Sequence, residues 1–264
     1  MADPGFLRPK TWRLDRVDAG ATVRIDDAKL ALDHGFLGGL NEAELGHLIF
    51  SLTRRGQTLV ETEFPIELLA RDEWGGLADM GHLLAAFISP NDAVVAEILK
   101  EAGRILEHGG HSPSLNGYQS GDPRRAYMLT AAIWSAISGM GLTYAEPPRS
   151  FELRGQKVRG PGRIKDEGLA TCLDLSLLMV AAVEAAGLNP AVIFTLGHAF
   201  TGVWLTERTF PSVAEPDITE LRKAIVAREF VCFETTLLTT RPASGFAHAI
   251  TACLLYTSPS PRDS

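Results

Sequence analysis

The sequence is poor in cysteine, in surplus positive charge and in long apolar runs, and each shortage excludes a class of protein. Three cysteines in 264 residues are too few for a disulfide framework, which favours a reducing compartment. The 25 Lys and Arg residues are outnumbered by 32 Asp and Glu residues, and the net charge of −7 disfavours direct nucleic-acid binding, which needs clustered cations. The longest apolar run, 173–186, contains Asp174 and Glu184 and falls short of the ~18 apolar residues of a membrane span.

Signals for nucleotide, metal and secretion are also missing. No glycine-rich phosphate loop followed by Lys and Ser or Thr occurs, so any ATPase would lie outside this sequence. His82, His108 and His111 lack the cysteine partners and spacing that are typical of zinc sites. The first residues have no apolar segment of a secretory signal. We therefore expect a cytoplasmic protein with no cofactor, no metal and no membrane contact.

The first part of the chain has the alternation of β-strands. Residues 47–53 and 58–69 place apolar side chains at every second position on either side of Arg55-Gly56, which is the pattern of a hairpin. Shorter pieces at 22–25 and 29–32 are candidates for further strands. The sequence therefore predicts a small β-sandwich-like module over residues 1–73.

After this module the apolar spacing becomes that of helices. Asn91 and Gly109 are the expected ends of one helix, and Asp122 and Gly139 are those of a second, because short polar residues cap helix starts and glycine ends helices. Later segments alternate between strand and helix patterns. The fold class that we expect is α+β, with the second domain over residues 74–252.

The end of the chain needs separate treatment. The last twelve letters, CLLYTSPSPRDS at 253–264, resemble the translation of a sequencing adapter, and the alternative is a disordered Ser/Pro tail. An artefactual or disordered end does not contribute to a fold, so we expect the second domain to end at Ala252. On the first interpretation the natural chain continues differently beyond Ala252, and C-terminal domains are missing here.

The segment 168–187 carries the strongest chemical signal. A loop that contains Gly168 brings Thr171 and Cys172 to the start of a helix that is apolar on nearly every side, as is typical of a buried central helix. Unpaired N–H groups and the positive end of the helix dipole favour the thiolate form of such a cysteine. The same N–H groups can hold a developing oxyanion.

Two later strands carry residues that can serve this cysteine. His198 begins a strand that follows one helix, one strand and a turn, so the imidazole can return to the start of the helix. The next strand, 229–236, carries Glu234, whose carboxylate can hold the imidazole in one tautomer. The structural alternatives stay open: an inert core thiol at Cys172, a hydrogen-bonded core histidine and a purely structural carboxylate.

These positions resemble the transglutaminase-like cysteine-enzyme superfamily, in which a Cys begins a helix, a Gly-His begins a strand and an acid lies on the following strand. The chain is more similar still to transglutaminase-like segments in the N-terminal region of large bacterial proteins, where a superfamily-1 helicase-like ATPase often follows. The resemblance covers roughly residues 11–252. It is carried by short stretches at 91–92, 117–120, 133–135, 155–159, 170–174, 197–200 and 233–236.

The resemblance implies a papain-like domain in which a central helix packs on an antiparallel sheet. It assigns Cys172 as the nucleophile, His198 as the general base and Glu234 as the orienting acid. The superfamily more often has Asp or Asn at the third position, so Glu234 matches least well, and Glu229 is a weaker substitute. Gln156 is a candidate donor to the oxyanion.

The expected function is thiol acyl transfer. The resemblance favours a cysteine hydrolase or protease that acts on a peptide or carboxamide bond of a peptide or protein substrate, within a larger helicase-associated protein. The alternative is a non-catalytic peptide- or partner-binding module fused to a helicase-like ATPase. A basic stretch over 149–165 is either a solvated loop or a contact for an anionic partner.

Overall fold

A computed structural model describes residues 1–27 and 29–257, with the side chains of 254–257 excepted. The chain is an α+β protein in which helices are combined with small, mostly antiparallel sheets. Its backbone contacts divide it into two units, of which the first ends at Glu73 and the second begins at Trp74. The division falls where the apolar pattern of the sequence changes from that of strands to that of helices.

The first unit contains one three-stranded antiparallel sheet and one short helix. Strands β1 (Ala2–Asp3), β2 (Glu44–Arg54) and β3 (Gln57–Leu68) lie in the order β1-β2-β3, and helix α1 (His34–Gly39) precedes β2. One end of the sheet packs on a small apolar cluster that contains Phe6, Leu7, Leu40 and Leu68. This cluster is the core of the unit.

Strands β2 and β3 form the hairpin that the alternation predicts. Arg55 and Gly56 occupy the turn with φ values of 49° and 82°, and two consecutive left-handed residues are what a type I′ hairpin turn requires. The register pairs Leu48 with Phe64 and shifts between Leu52 and Thr53. The hairpin prediction is therefore confirmed.

The predicted sandwich differs from the structure. Among the described residues of the first unit there is one sheet, whereas a sandwich needs a second sheet packed on the first. Residues 22–25 and 29–32 form no strand, although Leu32 makes one isolated bridge to Leu7. The apolar side chains in these two stretches are exposed. Strand formation there is therefore not stabilised by packing against a second layer.

The second unit alternates helices with short strands. Strand β4 (Glu73–Trp74) stands at the junction of the units. The elements that follow are α2 (Gly76–Met80), a 3₁₀ helix (Gly81–Phe87), α3 (Ala93–His108), α4 (Pro123–Ser138), β5 (Thr143–Tyr144), α5 (Phe151–Arg154), β6 (Gln156–Lys157), α6 (Pro161–Glu167), β7 (Leu169–Ala170), α7 (Cys172–Ala185), β8 (Pro190–Thr195), β9 (His198–Trp204), α8 (Ile218–Val226), β10 (Phe230–Phe233), a second 3₁₀ helix (Thr235–Thr239) and α9 (Phe246–Thr257).

The ends of α3 and α4 follow their capping residues. Asp122 accepts a hydrogen bond from the N–H of Arg124 at 2.9 Å, and Gly139 ends α4, as predicted. Gly109 likewise ends α3, but the residue that caps its start is Asp92, which accepts from Val94 N–H at 2.8 Å, and not Asn91. The prediction was one residue early because Asn and Asp are nearly equal as caps.

Helix α7 is the centre of the second unit. Its side chains from Cys172 to Val183 are all buried, because the helix packs on strand β9 on one side and on α3 and α4 on the other. Strands β8, β9 and β10 form an antiparallel sheet in the order β10-β9-β8. Helix α7, whose start carries Cys172, therefore packs on the sheet whose strands β9 and β10 position the other candidate residues.

Helix α9 extends into the segment that resembles an adapter translation. Cys253 is buried in a cluster that also contains Cys232 of β10, and the backbone remains helical through Thr257. The first five residues of the tail predicted over 253–264 are therefore helical in the structure, because the apolar pattern of α9 continues through them. Residues 258–264 lie outside the described residues.

Candidate active site

Cys172 is the first residue of α7, and a capping box holds it there. Thr171 Oγ1 accepts the N–H of Asp174 at 3.2 Å, and Asp174 Oδ2 accepts the N–H of Thr171 at 3.0 Å. These reciprocal bonds satisfy two backbone donors and determine where the helix begins. Cys172 and Leu173 are the first two residues of the helix, so their N–H groups have no intrahelical acceptor.

Asp174 also joins the helix start to the loop before it. Its Oδ1 accepts the backbone N–H of Arg159 at 2.8 Å, and its Oδ2 accepts from the Arg159 guanidinium at 3.1 Å. The carboxylate is fully buried, so these bonds replace its hydration. Arg159 pairs with Glu167 as well, at 2.8 Å. The sequence indicated only a first-turn acid at this position and not the link to Arg159.

His198 and Glu234 meet because they lie on neighbouring antiparallel strands. His198 begins β9, and Glu234 directly follows β10. His198 Nε2 donates to Glu234 Oε2 at 2.7 Å. The second carboxylate oxygen, Oε1, accepts the N–H and the hydroxyl of Thr236 at 2.9 and 2.7 Å. The carboxylate is held at both oxygens and therefore determines the orientation of the ring.

The imidazole of His198 is also hydrogen-bonded to Cys172. Since Nε2 donates to Glu234, we infer that Nδ1 is the nitrogen that serves the sulfur. Burial lowers the pKa of His198, but the hydrogen bonds to Cys172 and Glu234 and the negative charges of both outweigh it and raise the pKa to about 10. At neutral pH the ring therefore carries a second proton.

Glu234 is the anionic counterpart of this ring. Burial raises the pKa of the Glu234 carboxyl, but hydrogen bonds from His198 and Thr236 outweigh that effect, and the pKa is lowered. An ionised carboxylate and a protonated imidazole thus stabilise each other next to the sulfur.

Tyr144 is a fourth member of the site, and the sequence analysis missed it. In the parallel pairing of β5 with β7, Tyr144 lies opposite Ala170, and the N–H of Ala145 donates to the Ala170 carbonyl at 2.9 Å. Ala170 is two residues before Cys172, so the register brings the phenol to the sulfur, to which it hydrogen-bonds. Two-residue strands show no periodicity, so only the β-prone Thr143-Tyr144 pair hinted at this contact.

Two other candidate residues make contacts that differ from those expected for them. Gln156 is buried, and its Nε2 donates to Thr171 Oγ1 at 2.9 Å, while its Oε1 has no hydrogen-bond partner among the described residues. Its amide therefore contacts the helix cap. Glu229 precedes β10, at the opposite end from Glu234, and is ion-paired with Arg208. Glu229 is thus not a substitute for Glu234, because the length of the strand separates them.

The site is closed at the sulfur and more open at the imidazole. Cys172 is 0% exposed, whereas 19% of the His198 side chain and 6% of the Glu234 side chain are accessible. An electrophile can therefore reach the sulfur only when groups that cover it are displaced. Burial of this kind strengthens the electrostatic interactions among the charged groups inside.

Three of the six cations in the basic stretch before Cys172 are ion-paired within the chain. Arg163 pairs with Glu167 at 2.8 Å, and Lys165 pairs with Glu97 at 2.5 Å. Together with the pairs of Arg159, these contacts indicate a structural role for this part of the stretch. A surface whose cations already have acidic partners attracts an anionic partner less strongly.

Two further kinds of feature are absent from the part of the chain that the structure describes. No group of three or more His, Cys, Asp or Glu side chains within it could hold a metal ion. None of the helices described is both long enough and apolar enough to cross a bilayer.

Comparisons with known proteins found no match to a family model, to a curated protein or to a solved structure. The candidate site is therefore defined by the geometry of Cys172, His198, Glu234 and Tyr144.

Proposed function

We propose that the chain is a cysteine-dependent acyl-transfer enzyme of the transglutaminase-like, papain-like type. It acts as a hydrolase or protease on a peptide or carboxamide bond. The observation that carries this proposal is the position of His198, which hydrogen-bonds to the Cys172 sulfur and donates to Glu234 at 2.7 Å. Nucleophile, base and orienting acid in this order are the requirement for an activated thiol.

The reaction begins from a thiolate and an imidazolium. The sulfur of Cys172 attacks the carbonyl carbon, a C–S bond forms, and the π electron pair of the carbonyl moves to its oxygen. The N–H groups of Cys172 and Leu173 at the start of α7 donate to this oxyanion, where the helix dipole also favours negative charge. Glu234 keeps the imidazolium oriented throughout.

Collapse of the tetrahedral intermediate breaks the C–N bond, and His198 gives its proton to the leaving amine. A thioester on Cys172 remains. Water then attacks the thioester while His198 accepts the proton of the water, the C–S bond breaks, and a carboxylic acid leaves. An amine in place of water gives a new amide by the same steps. The buried sulfur favours a site from which solvent is largely excluded.

The proposed context is a larger helicase-associated protein in the reducing cytoplasm, of which this chain is the transglutaminase-like part. The second candidate function is a non-catalytic peptide- or partner-binding module in the same setting. The observation that favours the second candidate is the complete burial of Cys172, because a reactive thiol needs access as well as ionisation.

Thiol alkylation tests the proposal with a control built into the chain. Cys172 and Cys232 are both buried, but Cys172 contacts His198 whereas Cys232 contacts Cys253, whose hydrogen bond, with burial, raises the pKa of Cys232. We expect iodoacetamide to modify Cys172 at a rate that persists well below the ~8.5 pKa of a free thiol. In the His198→Gln variant, the alkylation of Cys172 at low pH should be lost. Equal and slow labelling of the two cysteines in the native protein would favour the binding module.

A second assay separates hydrolysis from amine transfer. The native protein and the Cys172→Ala variant are incubated with casein and with a fluorescent primary amine. Hydrolysis is indicated if the native protein, but not the Cys172→Ala variant, releases acid-soluble peptides. Amine transfer is indicated if fluorescence is retained on casein. Absence of both products, together with an unreactive Cys172, would count against an enzyme.

A further inference from the structure

We propose that Tyr144 is a catalytic residue whose hydroxyl donates a hydrogen bond to the oxyanion formed when Cys172 attacks a carbonyl. The inference rests on the acyl-transfer function proposed above and adds a side-chain donor to the backbone donors at the start of α7. It starts from the hydrogen bond between the phenol and the Cys172 sulfur, the atom from which the charge departs.

The backbone holds Tyr144 in this position. Strand β5 pairs with β7 in parallel, with Thr143 opposite Leu169 and Tyr144 opposite Ala170. The ring packs against the apolar cluster that contains Cys172 and Leu173. A donor fixed by strand pairing and packing costs little reorganisation during the reaction, which is the property that makes oxyanion stabilisation effective.

The movement of charge explains why a donor to sulfur can become a donor to oxygen. Before attack, the negative charge of the nucleophile lies on the sulfur, and the Tyr144 hydroxyl points to it. After attack, the charge lies on an oxygen bonded to the same carbon as the sulfur, so a small displacement lets the hydroxyl follow it. The phenol transfers no proton in this step, and its O–H bond stays intact.

The environment keeps the phenol protonated. Burial raises the pKa of Tyr144, and the neighbouring negative charges of Cys172, Glu146 and Glu234 raise it further. The hydroxyl is therefore a permanent donor at the pH values at which the protein would work. An oxygen that could ionise here would repel the oxyanion instead.

Nearby polar side chains are directed to other acceptors. The Gln156 amide donates to Thr171 Oγ1 at 2.9 Å. Ser176 Oγ donates to the carbonyl of Cys172 at 2.8 Å and shares a 3.0 Å hydrogen bond with Thr235 Oγ1. Tyr144 differs from Gln156 and Ser176 because its hydroxyl hydrogen-bonds to the Cys172 sulfur.

The test compares two reactions of the same sulfur. Acylation by p-nitrophenyl acetate passes through a tetrahedral oxyanion, whereas alkylation by iodoacetamide is a displacement without one. In the Tyr144→Phe variant, we expect acylation of Cys172 to slow on the order of 10²-fold, the usual effect of losing one oxyanion donor. Alkylation should not slow. Rates are corrected with the Cys172→Ala variant, which measures labelling of other groups.

The control variant is Tyr127→Phe. Tyr127 is half-buried on α4 and packs against Phe246, with ring centroids 5.3 Å apart, in an apolar cluster that does not contain Cys172. Both reactions should keep their native rates in this variant. A loss in Tyr127→Phe equal to that in Tyr144→Phe would show a general effect of removing a buried hydroxyl and would overturn the assignment.

The remaining outcomes are distinguishable. If acylation and alkylation slow equally in Tyr144→Phe, or if neither slows, the oxyanion role is wrong while the proposed enzyme stands. If Cys172 of the native protein shows neither rapid acylation nor alkylation below pH ~8.5, the proposed function fails first, and the role of Tyr144 fails with it.

Discussion

The carboxylate of Glu234 contacts the imidazole of His198 through Oε2, 2.7 Å from Nε2, while Oε1 is held by Thr236. The two oxygens therefore have separate tasks. One supports the charge of the ring, and the other anchors the carboxylate to the start of the following 3₁₀ helix.

We expect Glu234→Gln to weaken the thiolate–imidazolium pair. The substitution keeps the size of the side chain but removes the charge that helps to raise the pKa of His198, so that pKa falls toward its ordinary value and the imidazolium supports the sulfur less. Alkylation of Cys172 at pH 6 should slow on the order of 10-fold, equivalent to the ~1.5 kcal/mol of a hydrogen bond to a charged group. The measurement is the iodoacetamide rate as a function of pH.

The matched control for this variant is Glu229→Gln. Glu229 precedes the same strand but pairs with Arg208 at the opposite end. Its substitution should leave the pH profile of Cys172 unchanged. An identical change in the two variants would mean that the net charge of the unit, and not the contact with His198, controls the thiol.

Stability should depend on pH through His198. Its folded pKa, about 10, is raised above the ordinary value of 6.5, so its stabilising contribution is complete below pH 6.5 and is lost as the pH rises toward 10. The advantage of the native protein over His198→Gln in free energy of unfolding should therefore shrink across this window. Urea unfolding at several pH values measures it. A constant or growing difference would contradict the raised pKa.

Asp174→Asn should destabilise the second unit and misplace the helix start. The buried carboxylate accepts from the N–H of Thr171 and from Arg159 through both of its oxygens. An amide has only one oxygen, and its NH₂ group cannot accept a hydrogen bond. We expect a loss of about 1–3 kcal/mol in the free energy of unfolding, together with slower alkylation of Cys172.

The comparison variant is Asp217→Asn. Asp217 caps the exposed helix α8 by accepting from the N–H of Thr219 at 2.8 Å. Asparagine is nearly as good a cap, so stability should change little and the reactivity of Cys172 should not change. Equal losses in the two variants would argue that capping alone, without the link to Arg159, accounts for the effect.

Gly155→Ala should strongly destabilise the second unit. Gly155 has a φ of 90°, and a Cβ atom there would lie 1.7 Å from the carbonyl oxygen of Trp74. Backbone strain and overpacking together predict a loss of about 3 kcal/mol or more. Gly160→Ala is the control, because an added Cβ meets no atom within 4 Å there. Thermal unfolding of the two variants measures the difference, and similar midpoints would contradict this packing.

Local features were predictable where neighbours along the chain decide them. The hairpin around Arg55-Gly56 and the ends of α4 at Asp122 and Gly139 follow from turn and cap chemistry within a few residues. The position of Cys172 at the start of an apolar helix could also be predicted, because Thr171 and the apolar pattern of the helix lie next to it in the sequence. In the same way, His198 and Glu234 were candidates because each stands where a strand begins or ends.

Other features arise from contacts between distant segments. The contact of Tyr144 with the sulfur depends on the pairing of β5 with β7, two strands too short to show a pattern. The bond from Arg159 to Asp174 and the burial of Gln156 against Thr171 depend on how the intervening loop packs. The second sheet that a sandwich requires is absent among the described residues of the first unit. The apolar side chains at 22–25 and 29–32 are exposed there and do not pack into a second layer.

The order of residues along the chain was thus sufficient to nominate a nucleophile, a base and an acid, since helix starts and strand ends are set by short-range hydrogen bonding and side-chain shape. Their convergence, the protonated state of His198 and the presence of Tyr144 beside the sulfur emerged only when α7, β9 and β5 were packed together. Distances and burial between remote segments set these properties, because charge interactions depend on separation in space and on access to water.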